Sequence, residues 1–134
     1  MAARLDGRLI LPEQVLGEER AGTRLVMIGD VGRTENLVQV CRGADVLVIE
    51  ATYMEEEAQM ARDFAHLTAR QAASLAQEAG VGHLILTHIS RRYRERDVLG
   101  EARTVFANSR VARDFDAFQV RRGELVELQG ERAQ

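Results

Sequence analysis

Asp30, Glu50 and His88 each close a short apolar run: Arg24-Leu-Val-Met-Ile-Gly-Asp30, Val46-Leu-Val-Ile-Glu50 and His83-Leu-Ile-Leu-Thr-His88. Carboxylate oxygens and imidazole nitrogens are the donors of hydrolytic zinc or manganese sites. A carboxylate can also bridge two metals roughly 3.5 to 4 Å apart, which stabilises both the attacking hydroxide and the leaving oxygen of an in-line phosphodiester displacement. A further histidine outside the ligand set, His66, is suited to protonate the leaving group, with Glu50 orienting its ring. Taken singly, these residues have plainer roles. Asp30, after Gly29, suits a turn or helix cap, and His88 suits a hydrogen-bonded interior position. His83 is expected at the surface. Glu50 is harder to dismiss, because a carboxylate after four apolar residues is costly to bury unless paired or metal-linked.

The three runs carry no polar alternation, the pattern of strands buried on both faces of a sheet. Strands are expected over 24–29, 46–51 and 84–87. Leu37, Val40 and Cys41 mark a short helix that Gly43 can end, and 54–63 reads as another, with Glu55, Glu56 and Glu57 on a solvated face or in a first turn. Thr68-Ala-Arg-Gln71 is a capping box opening a helix that Gly80 closes, which leaves His66 in the preceding loop. A helix with Val98, Ala102, Val105 and Phe106 on one face follows. Val111–Val120 and Leu125–Leu128 read as a closing strand pair around Arg122-Gly123. The β-α-β-α-β order implies a layered α/β sheet with right-handed crossovers, in which ligands gather at the carboxyl ends of the strands.

The 134 residues suit one domain or part of one, with residues 1–23, including a possible hairpin at Asp6-Gly7, as a peripheral segment. Net charge is −3, and all 18 basic residues are arginine, a bias that a GC-rich genome also produces. One cysteine, Cys41, excludes an internal disulfide and fits a reducing, cytoplasmic setting as a buried thiol. No apolar run approaches the ~20 residues that span a membrane, so a soluble protein is expected. The basic loop Arg91-Arg92-Tyr93-Arg94-Glu95-Arg96 reads as a solvated loop by itself. Beside His88, however, Arg92, Tyr93 and Arg94 are candidates to bind substrate, because guanidinium and aromatic groups engage phosphate and an unstacked base. A nucleotide-binding reading of Gly29-Asp-Val-Gly32 lacks the required Gly-x-Gly-x-x-Gly spacing.

Six ordered segments carry a more specific signal: Leu-Pro-Glu-Gln-Val-Leu-Gly (11–17), Gly-Asp (29–30) with Thr-Glu-Asn-Leu-Val (34–38), Gly-Ala-Asp-Val-Leu-Val-Ile-Glu-Ala-Thr-Tyr (43–53), His-Leu-Thr-Ala (66–69), Leu-Thr-His-Ile-Ser-Arg-Arg-Tyr (86–93) and Ala-Arg-Asp-Phe (112–115). In these the chain resembles the C-terminal half of ribonuclease Z, the tRNA 3′-processing endoribonuclease family of the metallo-β-lactamase superfamily. The resemblance implies half of an αββα sandwich and a site for two zinc ions. It gives Asp30 a bridging and His88 a terminal metal role, with proton delivery by His66 and Glu50 as its partner. Precursor tRNA is the implied substrate. Val31, Ile49, Leu67 and Arg91 stand where the family usually has Thr, His, Ser and Pro, departures that spare the implied ligands.

The superfamily's His-x-His-x-Asp-His cluster, which supplies most zinc ligands and the general base, does not occur in the sequence. Nor does the family's arm for the tRNA elbow. Two implied ligands fall short of the three usual in catalytic zinc sites. The chain is therefore expected to need a missing N-terminal half or second subunit, to be inactive alone, and to bind zinc weakly. Its sheet faces should lie uncovered and favour a homo-oligomer. Another phosphodiesterase of the same fold, or a non-catalytic remnant or partner subunit, are the competing readings.

Overall fold

The computed structural model describes residues 2–128; Met1 and residues 129–134, the ends of the expected single partial domain, lie outside the described residues. The chain opens with the hairpin that Asp6-Gly7 announces: β1 (Ala3–Leu5) pairs antiparallel with β2 (Arg8–Ile10). Both turn residues have positive φ, 49° and 78°, as a type I′ hairpin turn requires. A short helix, α1 (Pro12–Val15), follows. Every residue from 2 to 23 except Ile10 and Pro12 is exposed, so this segment is peripheral.

The apolar runs form the central sheet. β3 (Leu25–Ile28), β4 (Val46–Glu50), β5 (His83–Thr87) and β6 (Ser109–Val111) lie in that order, each parallel to its neighbour. Helices fill the crossovers that parallel strands demand. The first holds α2 (Val38–Cys41), followed by Gly43 at φ 66°. The second holds a 3₁₀ turn (Glu55–Glu57), α3 (Ala58–Asp63) and α4 (Ala69–Ala79), and the third holds α5 (Glu95–Arg103). At the start of α4 the capping box forms in both directions: Gln71 N–H donates to Thr68 Oγ1 at 3.2 Å and Thr68 N–H to Gln71 Oε1 at 2.9 Å. Left-handed Gly80 ends the helix, φ 66°.

Side chains alternate across the sheet. Val26, Ile28, Leu47, Ile49, Leu84 and Leu86 pack on the helices, where Ala72, Ala73, Ala76 and Ala79 of α4 are small enough to let the helix lie close. Val46 and Ile85 point the other way and are buried under Leu125 of a second hairpin, β7 (Ala117–Arg121) with β8 (Glu124–Leu128). Thus the face expected to be bare is partly roofed. On the edge strand it stays open: Leu25 and Met27 are 52% and 72% exposed.

Other expectations are corrected. Residues 111–120 are not one strand, because β6 pairs with β5 and a turn, Asp116 N–H to Arg113 O with Phe115 at φ 70°, separates it from β7. Val105 and Phe106 lie beyond the end of α5, though both pack on the core. His83 is half-buried, with Nε2 3.0 Å from the carbonyl of Gly123 in the β7–β8 turn. The acidic run does lie in a first turn, with Glu55 and Glu56 exposed, and it also makes contacts: Glu55 accepts from Thr68 Oγ1 at 2.8 Å, and Glu57 accepts from Tyr93. Among the described residues, no helix is long and apolar enough to cross a membrane.

Candidate metal and acid-base site

Parallel strands deliver their successors to one edge, and the site lies along it. Asp30 follows β3, Glu50 ends β4 and His88 follows β5. His66 enters from the loop between α3 and α4. Its approach is set by a close backbone contact, since a Cβ built on Gly32 would stand 2.9 Å from Ala65 Cα. Ala65 itself has φ 57°. Only a residue without a side chain leaves room at 32 for this loop.

Glu50 is 1% exposed and its carboxylate is saturated with donors. Oε1 accepts from Val31 N–H at 3.1 Å and lies 2.8 Å from His66 Nδ1. Oε2 accepts from Thr52 N–H at 3.1 Å, Thr52 Oγ1–H at 2.9 Å and Leu67 N–H at 3.2 Å. These donors offset the desolvation that makes an unpaired buried carboxylate so costly. The same anion ties together the loops carrying Asp30, His66 and Thr52.

Asp30 and His88 are open to solvent, their side chains 65% and 52% exposed, with Asp30 Oδ1 3.6 Å from His88 Nδ1. The imidazole rings of His66 and His88 stand 5.2 Å apart. One ligand atom from each of Asp30, His66 and His88 can be chosen so that all lie within 4.8 Å of one another. A hard carboxylate and two imidazoles are a donor set that zinc accepts, so the residues present fit a metal, though not a closed four-ligand site. His88 holds a left-handed backbone, φ 55°. Such a conformation in a non-glycine residue is uncommon and is found at functional sites.

The basic loop is less free than its composition implies. Tyr93 donates its hydroxyl to Glu57, and Arg92 Nη1 lies 3.4 Å from the same carboxylate. Burial and the bond to Glu57 push the Tyr93 phenol up to about 12. Arg92 and Arg94 are both exposed, but among the described residues Arg94, just before α5, takes part in no ion pair. Cys41 is a buried thiol pushed up by burial and lies in α2, on the core side of the sheet.

Sequence reasoning brought Asp30, Glu50, His66 and His88 together, but it missed Thr52 and Glu57. Thr52 had a signal, because two residues after Glu50 in extended chain is the same side of the strand. Glu57 had none, since its partners are 35 and 36 residues away in sequence.

A profile of the beta-lactamase superfamily domain matches residues 15–89. Ribonuclease Z of Bradyrhizobium sp. (strain ORS 278) is 49% identical over 115 residues, covering 86% of this chain and 38% of that protein. Ribonuclease Z of Archaeoglobus fulgidus is 44% identical over 116 residues, 85% of this chain and 38% of the relative. The chain thus spans about two fifths of the length of these curated relatives. Human tRNase Z, short form, superposes with a TM-score of 0.56 at 28% identity over 70% of this chain and 32% of that one. The metallo-beta-lactamase fold protein YhfI of Bacillus subtilis, 24% identical over 77% of this chain and 39% of its own, has a TM-score of 0.63 and speaks for the fold. The parallel sheet with its helices on one face is one α/β half of the metallo-β-lactamase sandwich, resembling the C-terminal half of ribonuclease Z, and the chain belongs to the beta-lactamase superfamily.

Proposed function

We propose that the chain supplies one half of a zinc-dependent endoribonuclease site that removes 3′ trailers from precursor tRNA. The observation that carries this reading is the convergence of Asp30 and His88, the would-be ligands, with His66 beside them, one side-chain donor atom of each lying within 4.8 Å of the others, in a chain about half identical to ribonuclease Z where they match. Asp30 and His88 are the residues that would hold metal, and zinc, when bound, would supply Lewis-acid polarisation and a water acidic enough to attack at neutral pH. His66 acts apart from this pair. Its Nδ1–H donates to Glu50, so the ring is fixed and Nε2 is the atom through which a proton reaches the leaving oxygen as the phosphorus–oxygen bond breaks. Arg92, Tyr93 and Arg94, one loop beyond His88, are assigned to the RNA, with Arg94 the most available of the three.

The chain is a single partial domain in this reading. The ligands and general base of a His-x-His-x-Asp-His cluster, absent from the 134 residues, come from a missing N-terminal half or a second subunit, and the 134 residues alone are inactive, bind zinc weakly and belong to the cytoplasm. The test is 3′-trailer release from a precursor tRNA by this chain, by a polypeptide bearing the missing cluster, and by their mixture. Cleavage is expected in the mixture only, with His66→Ala slowing it by about 10²- to 10⁴-fold while sparing metal content. Cleavage by this chain alone that survives His66→Ala and chelation overturns the proposal.

A further inference from the structure

Thr52 is buried, with 9% exposure, and its hydroxyl stands between two functional groups. Oγ1 is 2.9 Å from Glu50 Oε2 and 2.8 Å from His88 Nδ1. A hydroxyl has one proton to give, and an ionised carboxylate can only accept. The Thr52 proton therefore goes to Glu50, and the bond to His88 is made only if His88 Nδ1 carries the hydrogen and Thr52 Oγ1 accepts it. A neutral His88 is then left with its lone pair on Nε2. His66 is governed by the same anion directly, through Nδ1–H to Glu50 Oε1 at 2.8 Å.

We propose that Thr52 is a positioning residue that passes the acceptor character of Glu50 on to His88, fixing its proton on Nδ1 and presenting Nε2 to a metal. One buried carboxylate thereby sets the tautomers of both imidazoles, His66 at first hand and His88 through the threonine hydroxyl. The competing assignment uses Nδ1, 3.6 Å from Asp30 Oδ1, as the ligand atom. The 2.8 Å contact to Thr52 already occupies Nδ1. Metal-bound histidines generally donate their second ring N–H to a fixed acceptor, and loss of that acceptor typically lowers metal affinity about 10- to 100-fold. Thr52 is such an acceptor, and its polarity is itself enforced by Glu50.

The inference rests on the metal role assigned to His88, but its first test does not. Long-range ¹H–¹⁵N spectra of the ¹⁵N-labelled chain without metal, at a pH where the rings are neutral, should show both His66 and His88 protonated on Nδ1. In Thr52→Val, of nearly the same shape but without the hydroxyl, His88 should lose that preference while His66 keeps it. Thr52→Ser should restore it. Finding His88 protonated on Nε2 in the unaltered chain, or unchanged in Thr52→Val, overturns the proposal whether or not the chain acts on tRNA. The second arm titrates zinc alone into the three proteins by calorimetry. A weakening of about 10- to 100-fold in Thr52→Val, recovered in Thr52→Ser, is expected, and equal affinities for all three refute the link from tautomer to metal. If Thr52→Val does not fold, the unaltered chain and Thr52→Ser still decide the tautomer.

Discussion

Gly32 and Ala65, thirty-three residues apart, touch through their backbones: a Cβ on Gly32 would lie 2.9 Å from Ala65 Cα and 3.1 Å from its carbonyl carbon. The contact holds the loop after Asp30 against the loop before His66. Gly32→Ala must push these loops apart, and overpacking of this kind typically costs about 1–3 kcal/mol. Denaturant unfolding of the variant should show that loss, together with weaker zinc binding than the unaltered chain. Unchanged stability would mean that the two loops do not meet.

Glu50 is expected to matter to folding as well as to proton transfer. Glu50→Ala leaves Val31 N–H, Leu67 N–H and Thr52 without their acceptor at buried or part-buried positions. Unsatisfied buried donors cost about 1–3 kcal/mol each, so a total loss of about 3 kcal/mol or more is expected. Equilibrium unfolding measures it directly. A loss below about 0.5 kcal/mol, the level of ordinary surface changes, contradicts the network.

Tyr93 offers a pH signature. Its folded value, about 12, lies above the ordinary 10.0, first because burial disfavours the phenolate and then because Glu57 accepts its proton. The unfolded chain gives up this proton first, so the contribution of Tyr93 to stability is present below pH 10 and fades as the pH rises towards 12. Ultraviolet titration should place one phenolate near the upper value, and Glu57→Gln should bring it down. No movement in that variant removes Glu57 as a cause.

The arginines of the same loop should separate. Arg92 shares Glu57 with Tyr93, whereas Arg94, likewise exposed, has no ion pair among the described residues. In the reconstituted enzyme, Arg94→Ala should weaken RNA binding and reduce the salt slope by about one unit, as for a lost phosphate contact. Arg92→Ala should do less. Equal salt slopes in the unaltered and Arg94→Ala proteins would remove Arg94 from the RNA-binding surface.

The open strip of the sheet predicts self-association of the isolated chain. Leu25 and Met27 lie on an edge strand, and edges with exposed apolar side chains recruit further strands. Light scattering should show a mass that rises with concentration, and Met27→Lys should return it towards the monomer. A monomer at every concentration in the unaltered chain speaks against association through this strip.

Much of this architecture was legible in the chain because the strongest signals are local. Unbroken apolar runs marked β3, β4 and β5, and Thr68, Gln71 and Gly80 marked both ends of α4. His66 and Glu50 could be paired because a carboxylate after four apolar residues needs a partner and His66 stands in a loop outside the expected ligands, a pairing that the resemblance also implied. The failures have the opposite character. Whether 111–120 forms one strand or two is decided by β6 pairing with β5, and the partial cover of His83 is decided by a turn forty residues later. The roof over Val46 and Ile85 depends on a hairpin whose polar alternation identifies strands but not the surface they cover. Thr52 was hidden because a hydroxyl takes its meaning from what lies on either side of it.

The left-handed backbone at His88 limits the alphabet of this position. At φ 55° a side chain branched at Cβ is strained, while Asn, Asp and His enter the region far more readily than other residues. Of these, Asp and His are both good ligands for divalent metals, and Asp adds a negative charge beside Asp30. Drift at residue 88 is thereby channelled: a change to aspartate keeps the chain path and a donor atom but shifts the preference from zinc towards harder ions such as manganese or magnesium. Cysteine, a strong zinc donor, meets a backbone it seldom adopts. The turn that aims the histidine thus also restricts which metals the lineage can reach by a single substitution.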